Sequence, residues 1–438
     1  PDTSDVYEMK VRRRGLILEY EYEGEWHPAR MRAIRIPVDG EEKPRVMPAV
    51  FTRKGPLLGE PDLERGVAYA GATPYIDDGG SMAQQYAMTM ADDADAFFEA
   101  LRMNSLMEQN VMWADRQGNI GYARVGRTPV RPAGDYDWSK PVPGNVAATA
   151  WEGLHDVRDL VHIMNPASGY MQNCNISPGT MWEGSTLTPD KYPAYAYNTS
   201  GTATNPRGER ARALLDAETT LTTEEAIAIT MDVYDLLATR GQHALAAAFA
   251  AHGTTETPAA VLAEDIATWD GQFTRDSTAA TAMWRLRIAA ATEIDCEAIA
   301  AETPLSEADQ RRLVELLGET AAELEATYGN MAVPWGETHV VGRDGQFYGY
   351  DGADFGSGAI KTETLRDVEA SPERGRTGRM IADSGTMSAM LMFFHADGIK
   401  SYTCIPWGQD ANPDSLHHID QARELFSQRK MKPTWWTK

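Results

Sequence analysis

Cysteine is scarce in this sequence. Only three cysteines, Cys174, Cys296 and Cys404, occur among 438 residues, and they lie far apart. The sequence has no C-x-x-C pair and no cluster of cysteine with histidine. This excludes a zinc module or a disulfide framework as the basis of the fold, and it leaves a single disulfide open.

Basic residues and long apolar runs are also lacking. The chain has 41 lysines and arginines against 64 aspartates and glutamates, which gives a formal net charge of −23 and a pI near 4.8. Such a charge repels phosphate polyanions and anionic lipid surfaces, so we predict no nucleic-acid partner. No run of about 18 apolar residues occurs, so we predict no membrane insertion. No signal peptide, phosphate-binding glycine loop or G-x-S-x-G motif is present.

The apolar pattern changes twice along the chain. Residues 15–38 alternate between apolar and polar side chains, which predicts a β-hairpin. The middle is helical: Thr222 and Glu225 form a T-x-x-E capping box, and residues 306–328 carry leucines at helical spacing. Strand patterns return after residue 342. Segregated strands and helices, without regular β-α-β alternation, predict an α+β fold.

Four segments carry a more specific pattern. They are WADRQGNIGYARVGRTPVRPAGDYDWSKPVPG (113–144), SGYMQNCNISPG (168–179), NPRGERARALL (205–215) and PWGQDANPDSLHHIDQARELF (406–426). In this order they resemble the large-subunit portion of the penicillin amidase family of N-terminal-nucleophile (Ntn) hydrolases. The last segment is most similar to the acyl-homoserine-lactone and cyclic-lipopeptide acylase branch.

The resemblance implies a particular architecture. We expect the Ntn-hydrolase fold, a four-layer αββα sandwich with a helical lobe. Residues 1–215 would form the first part of the sandwich, 216–330 the helical lobe, and 331–438 the C-terminal part of the sandwich.

The resemblance also implies an activity. The family contains N-acyl amide hydrolases (acylases) that work through an acyl-enzyme intermediate. We expect this protein to be such an enzyme and to be periplasmic or secreted. The substrate would be a small-molecule amide: an acyl-homoserine lactone, a lipopeptide side chain or a β-lactam side chain.

The first residue departs from the family pattern. The family uses an N-terminal Ser, Thr or Cys as nucleophile, whereas Pro1 has neither a hydroxyl nor a thiol. We therefore expect the nucleophile on an N-terminal segment absent from this chain, and a small acylase subunit as a further partner. The alternative is a catalytically inactive, calcium-stabilised binding or scaffold protein of the same fold.

Two residues match catalytic positions of the family. Asn175 matches an asparagine whose amide contributes to the oxyanion hole, and Arg207 matches an arginine that orients this asparagine. A fixed N–H donor aimed at the developing oxyanion contributes roughly 3–4 kcal/mol. From the residues alone, Asn175 could instead serve the turn before Pro178, and Arg207 could be a surface residue at the start of a basic helix.

The same resemblance implies a structural calcium ion. Asp2, Ser4 and Asp5 match a family segment that holds calcium through carboxylate and carbonyl oxygens, the hard ligands that this ion takes. A carbonyl near Trp138, the side chain of Asp190 and a glutamate of the small subunit would complete the set. Read without the resemblance, residues 2–5 are an acidic terminus. No organic cofactor is expected.

Overall fold

The computed structural model describes residues 1–395 and 398–434. The chain divides into two compact units: unit 1 comprises residues 1–171 and 177–203, and unit 2 comprises residues 172–176 and 204 onward. Both contain helices and sheets, so the predicted α+β class is confirmed. The three-part division of the sequence stays a prediction. None of the described helices is both long and apolar enough to cross a bilayer.

Unit 1 is mainly β-structure. Its strands are β1 (Asp5–Arg14), β2 (Ile17–Tyr22), β3 (Glu25–Pro28), β4 (Arg30–Ile36), β5 (Arg45–Thr52), β6 (Gly55–Pro56), β7 (Val67–Ala72), β8 (Gln109–Ala114), β9 (Ile120–Val125), β10 (Val142–Pro143) and β11 (His162–Met164). Its helices are α1 (Ser81–Thr89), α2 (Ala94–Leu101) and α3 (Ala194–Tyr197).

Strand β1 organises the largest sheet of unit 1. Its residues alternate between buried and exposed, with Tyr7, Met9 and Val11 in the core, as expected for a strand with one covered face. It pairs with β2, β7 and β10, and β2 continues to β3. Strands β4–β6 and β8, β9 and β11 form two further three-stranded sheets.

The predicted hairpin over residues 15–38 forms only in part. Strands β2 and β3 pair around the turn at residues 23–24, as predicted. The return strand then breaks at Ala29, and β4 pairs with β5 instead. Because Glu19 lies opposite Pro28, β2 has almost no residues left to pair beyond Ala29, so the chain turns to a new partner.

Unit 2 contains most of the helices. They are α4 (Pro206–Asp216), α5 (Thr223–Thr230), α6 (Ala238–His252), α7 (Pro258–Ala267), α8 (Thr278–Ala290), α9 (Cys296–Ala300), α10 (Glu307–Tyr328), α11 (Trp335–Thr338) and α12 (Asp420–Glu424). Its strands are β12 (His339–Arg343), β13 (Gln346–Gly349), β14 (Asp354–Phe355), β15 (Thr362–Glu363), β16 (Val368–Pro372), β17 (Met380–Gly385), β18 (Ala389–His395), β19 (Gly398–Cys404) and β20 (Lys432–Pro433).

Local signals place these helices as predicted. Thr222 and Glu225 make the reciprocal bonds of a capping box at the start of α5, and Ser306 caps α10 by accepting from the Asp309 N–H. The leucine stripe of α10 is buried against α6, α7 and α8. All three cysteines of the chain are unpaired, so none of them forms a disulfide with another.

The six-stranded sheet of unit 2 brings acidic residues together. Its order is β13-β12-β17-β16-β14-β15. Asp354 of β14 lies directly opposite Glu363 of β15, and Asp367 immediately precedes β16, which pairs with β14. Helix α4 contacts β15, so the start of this helix faces the acidic edge.

Candidate functional site

The segment 172–176 is held against the first turn of α4. Asn205 caps the helix by accepting from the Gly208 N–H at 2.9 Å, and its own amide nitrogen donates to the Cys174 carbonyl at 2.7 Å. Gln172 donates to the Gly208 carbonyl at 3.3 Å. A Cβ at Gly208 would lie 2.7 Å from Ile176, so this close approach requires glycine. The N-P-R-G sequence therefore supplies both the cap and the contact.

This arrangement brings together the two predicted catalytic residues. Arg207 Nη2 donates to the side-chain oxygen of Asn175 at 3.2 Å. Arginine has only donors, so the amide must present Oδ1 to it and point Nδ2 away. Asn175 is exposed and has a left-handed backbone, φ 60°, which asparagine tolerates better than most residues. Its amide N–H groups thus have no partner among the described residues and are oriented to donate to a ligand.

Two carboxylates hold Arg207 from behind. Its Nε lies 3.1 Å from Glu363 Oε1 and 3.5 Å from Asp367 Oδ2, and all three side chains are largely buried. The angle at Nε does not make a hydrogen bond, so the contact is an ion pair. Because guanidinium is planar and always charged, two carboxylates beside it fix its orientation and, through it, that of the Asn175 amide.

The acidic group has its own cations. Carboxylate oxygens of Asp354, Glu363 and Asp367 lie within 4.8 Å of one another. Lys361 forms an ion pair with Asp354 and lies 3.8 Å from Glu363, while Arg207 contacts the other side of the group. Burial, and then the Asp354 charge, raise the pKa of Asp367 to about 7. With Asp367 protonated, the two remaining carboxylates face two cations, which balances the charge of the group.

This balance predicts a pH effect on stability. The folded pKa of Asp367 is raised above the ordinary value near 4, so its contribution to stability is present at low pH and is lost as pH rises to about 7. We expect Asp367→Asn to remove on the order of 1–3 kcal/mol of the fall in unfolding free energy between pH 4.5 and 7.5. Urea unfolding at both pH values measures this. Asp276→Asn, at an exposed position, is the control and should leave the pH dependence unchanged.

The predicted calcium ligands are arranged around an arginine. Arg131 Nη2 lies 2.8 Å from Asp2 Oδ2 and 2.8 Å from Asp5 Oδ1, and its Nε donates to Asp5 Oδ2 at 3.2 Å. The guanidinium is buried beside the rings of Trp138 and Tyr195. A fixed positive charge therefore lies between the two carboxylates that calcium would bridge.

The other predicted ligands do not complete a set. Ser4 and Asp190 are exposed, and Asp190 accepts a hydrogen bond from Thr188, which lowers its pKa. Among the described carboxylates, cysteines and histidines, the metal-like grouping in unit 2 is the one that brings three together, and Asp2, Asp5 and Asp190 do not form another. Calcium stays a prediction, but these side chains fit it poorly.

A chelation experiment distinguishes calcium from Arg131 as the positive charge beside Asp2 and Asp5. If Arg131 supplies the positive charge, EDTA should leave the melting temperature unchanged, whereas Arg131→Met should lower the unfolding free energy by about 3–5 kcal/mol because it strands the buried Asp5. Differential scanning calorimetry with and without 5 mM calcium measures both the melting temperature of the wild type and the stability loss of the variant. A marked loss of stability on chelation of the wild type would instead favour the ion.

The residues that orient Arg207 are not predictable from the local sequence. Glu363 and Asp367 lie more than 150 residues after it, in a stretch for which no particular element was predicted. Carboxylates are the commonest charged residues in this chain, so no local signal marks these two. Arg131 lies inside a segment that carries the family resemblance, yet its pairing with Asp2 and Asp5 spans about 130 residues.

Comparisons with known proteins find relatives of this chain. A family model described as penicillin amidase matches residues 1–438. The acyl-homoserine lactone acylase QuiP of Pseudomonas fluorescens (strain Pf0-1) is 30% identical over 178 residues, 40% of this chain and 21% of that protein. Penicillin G acylase of Escherichia coli is 33% identical over 128 residues, 29% of this chain and 15% of that protein. The matched parts thus span about a fifth or less of these relatives.

A solved structure extends the likeness to the fold. The thermostable penicillin G acylase from Alcaligenes faecalis matches with a TM-score of 0.61 and 18% identity, over all of this chain and 84% of that chain. At this identity the match shows the fold, and it confirms the predicted Ntn-hydrolase class.

Proposed function

Because this chain belongs to the penicillin amidase family, we propose that it carries the oxyanion-stabilising part of an N-acyl amide hydrolase. The observation that carries the proposal is the hydrogen bond from Arg207 to Asn175, which leaves the amide N–H groups of Asn175 free and oriented. A residue serving only the turn before Pro178 would not need an arginine held by two carboxylates to orient its side chain.

The proposed chemistry follows from where charge develops. A nucleophile attacks the carbonyl carbon of the substrate amide, and the carbonyl oxygen becomes negative. Asn175 Nδ2 donates to this oxygen, which stabilises the transition state more than the ground state. The tetrahedral intermediate expels the amine, and water then releases the acid from the acyl-enzyme ester. Pro1 offers no hydroxyl or thiol, so in this proposal the nucleophile comes from a segment outside these 438 residues.

The test is hydrolysis by the complete protein that contains this chain. An N-acyl-homoserine lactone, an N-acyl peptide and an N-acyl β-lactam would be offered separately, and the released acid measured by mass spectrometry. We expect time-dependent release from at least one amide and an acyl-enzyme adduct in intact mass. Tight binding of these amides with no hydrolysis would favour the binding-protein alternative.

The partner proposal is supported by exposed apolar sheet faces. Strands β4 and β5 place Ile34 opposite Met47 with both side chains exposed, and β18 and β19 place Phe394 opposite Ile399 in the same way. Exposed apolar side chains that lie opposite each other on paired strands favour a partner that covers them. We propose that other parts of the acylase, including its small subunit, cover these faces.

Substitution of one covered face should weaken assembly. We expect Ile34→Glu to weaken association of this chain with the rest of the protein by about tenfold or more, because a buried charge without a partner is costly. Leu416→Glu, at an isolated position that is 90% exposed, should have no effect. Native mass spectrometry of the purified protein measures the complex. A stable, cooperative monomer of the wild-type chain alone would contradict the proposal.

A further inference from the structure

Unit 1 contains a cavity that the proposed chemistry does not use. It has a volume of about 280 Å³ and lies beside the turn between β5 and β6. Its walls include Tyr7, Tyr22, Arg53, Lys54, Ile76 and Trp151. Aromatic and apolar side chains thus surround two adjacent cations. A cavity of this size accepts a small organic molecule.

The two cations each contact an aromatic ring, but neither has an acidic partner among the described residues. Lys54 Nζ donates to the Thr149 carbonyl at 3.1 Å and lies 4.3 Å from the centre of the Tyr7 ring. The Arg53 guanidinium lies 3.5 Å from the centre of the Tyr22 ring. In the part of the chain that the structure describes, no carboxylate oxygen lies within 4 Å of either cation. This is notable in a protein where acidic residues outnumber basic ones by 64 to 41.

The charges around Lys54 do not satisfy it. Asp5 acts on it, but that carboxylate is paired with Arg131 and also accepts from Trp151 Nε1 at 2.7 Å. Burial, and then the Arg53 charge, lower the pKa of Lys54 to about 8. The Tyr7 phenol is neutral in this range because burial raises its pKa. An anion between the two cations would offset both effects on Lys54.

We propose that this cavity binds a small organic carboxylate, held between Arg53 and Lys54, with its apolar part against Ile76 and the aromatic walls. A guanidinium matches a carboxylate with two parallel hydrogen bonds, and the ammonium supplies a second charge. The apolar walls favour an alkyl or aryl acid over inorganic phosphate. The inference rests on unit 1 alone and does not depend on the proposed hydrolase activity, although the acid released by such an enzyme belongs to the same chemical class.

Calorimetric titration of the complete protein tests the site. Hexanoate and benzoate are the probes, and hexanamide and inorganic phosphate are the comparisons. We expect both acids to bind at pH 7, and hexanamide and phosphate to bind at least tenfold more weakly. Arg53→Met and Lys54→Met should each weaken hexanoate binding about tenfold or more. Arg45→Met, at the start of the strand β5 that leads into this turn but paired with Glu41, should leave it unchanged.

The pH dependence separates a direct role of Lys54 from a structural one. Hexanoate binding should weaken between pH 7 and 9.5 in the wild type, as Lys54 loses its proton. Lys54→Arg should retain binding at pH 9.5, because guanidinium stays charged. Absence of hexanoate binding at 10 mM, equal binding of phosphate, or full binding by Arg53→Met would overturn the proposal. Since the readout is binding, a protein that binds hexanoate but hydrolyses no amide would refute only the proposed function.

Discussion

Asn175→Gly should lower kcat for amide hydrolysis by about 100- to 1,000-fold while KM changes much less. The substitution removes the donor that acts on the negative charge of the transition state, and loss of one such donor costs roughly 3–4 kcal/mol. Glycine adopts the positive φ of this position freely, so the variant removes the amide without adding backbone strain. Asn175→Ala should show the same loss of rate with some additional loss of stability.

A second asparagine provides the control. Asn198 also has a positive φ, 48°, and it ends α3 with no contact to Asn175 or Arg207 among those described. Asn198→Gly should keep full hydrolase activity. If Asn175→Gly retained the wild-type kcat, the assignment of the oxyanion donor would be wrong and the binding-protein alternative would gain support.

Arg207→Met should reduce both activity and stability. Without the guanidinium the Asn175 amide can rotate, so we expect kcat to fall by about 10- to 100-fold. The variant also leaves Glu363 and Asp367 without this cation, which we expect to cost about 2–4 kcal/mol of unfolding free energy at pH 7.5. The stability loss should shrink at pH 5, because Asp367, whose pKa is raised to about 7, is then protonated and no longer repels Glu363.

The neighbouring arginine of the same helix is the matched control. Arg210 is paired with Asp232 and packs on the Tyr234 ring, but it has no contact with Asn175 among those described. Arg210→Met should lower stability without a comparable loss of kcat. Equal loss of kcat in the two variants would indicate that the helix, and not the Arg207 contact, supports the activity.

Local features of the fold could be predicted from the sequence. The capping box at Thr222 and the cap at Ser306 involve residues three apart, so their geometry is encoded within a single turn. The end of α5 was not predictable in this way. The sequence predicts a helical middle without marking where its first helix ends, and α5 ends at Thr230 because Val233 is buried and its carbonyl accepts from the Phe273 N–H at 2.9 Å. That contact joins residues 40 apart.

The candidate site, too, has a part that could be predicted from the sequence and a part that could not. The family resemblance pointed to Asn175 and Arg207, and the structure brings them into contact. The carboxylates that orient Arg207 come from a sheet edge formed by three separate strands and loops, which no local pattern encodes. No local pattern predicts the pairing of Asp2 and Asp5 with Arg131 either, because the arginine lies about 130 residues later. Without that pairing, the two aspartates suggest calcium ligands.

The most direct test of the central claim is a double-mutant cycle on kcat with Asn175→Gly and Arg207→Met in the complete protein. If Arg207 acts by orienting the Asn175 amide, the double variant should be no slower than Asn175→Gly alone, because the arginine has nothing left to orient. Losses that multiply in the double variant would contradict this account, since the two residues would then act independently.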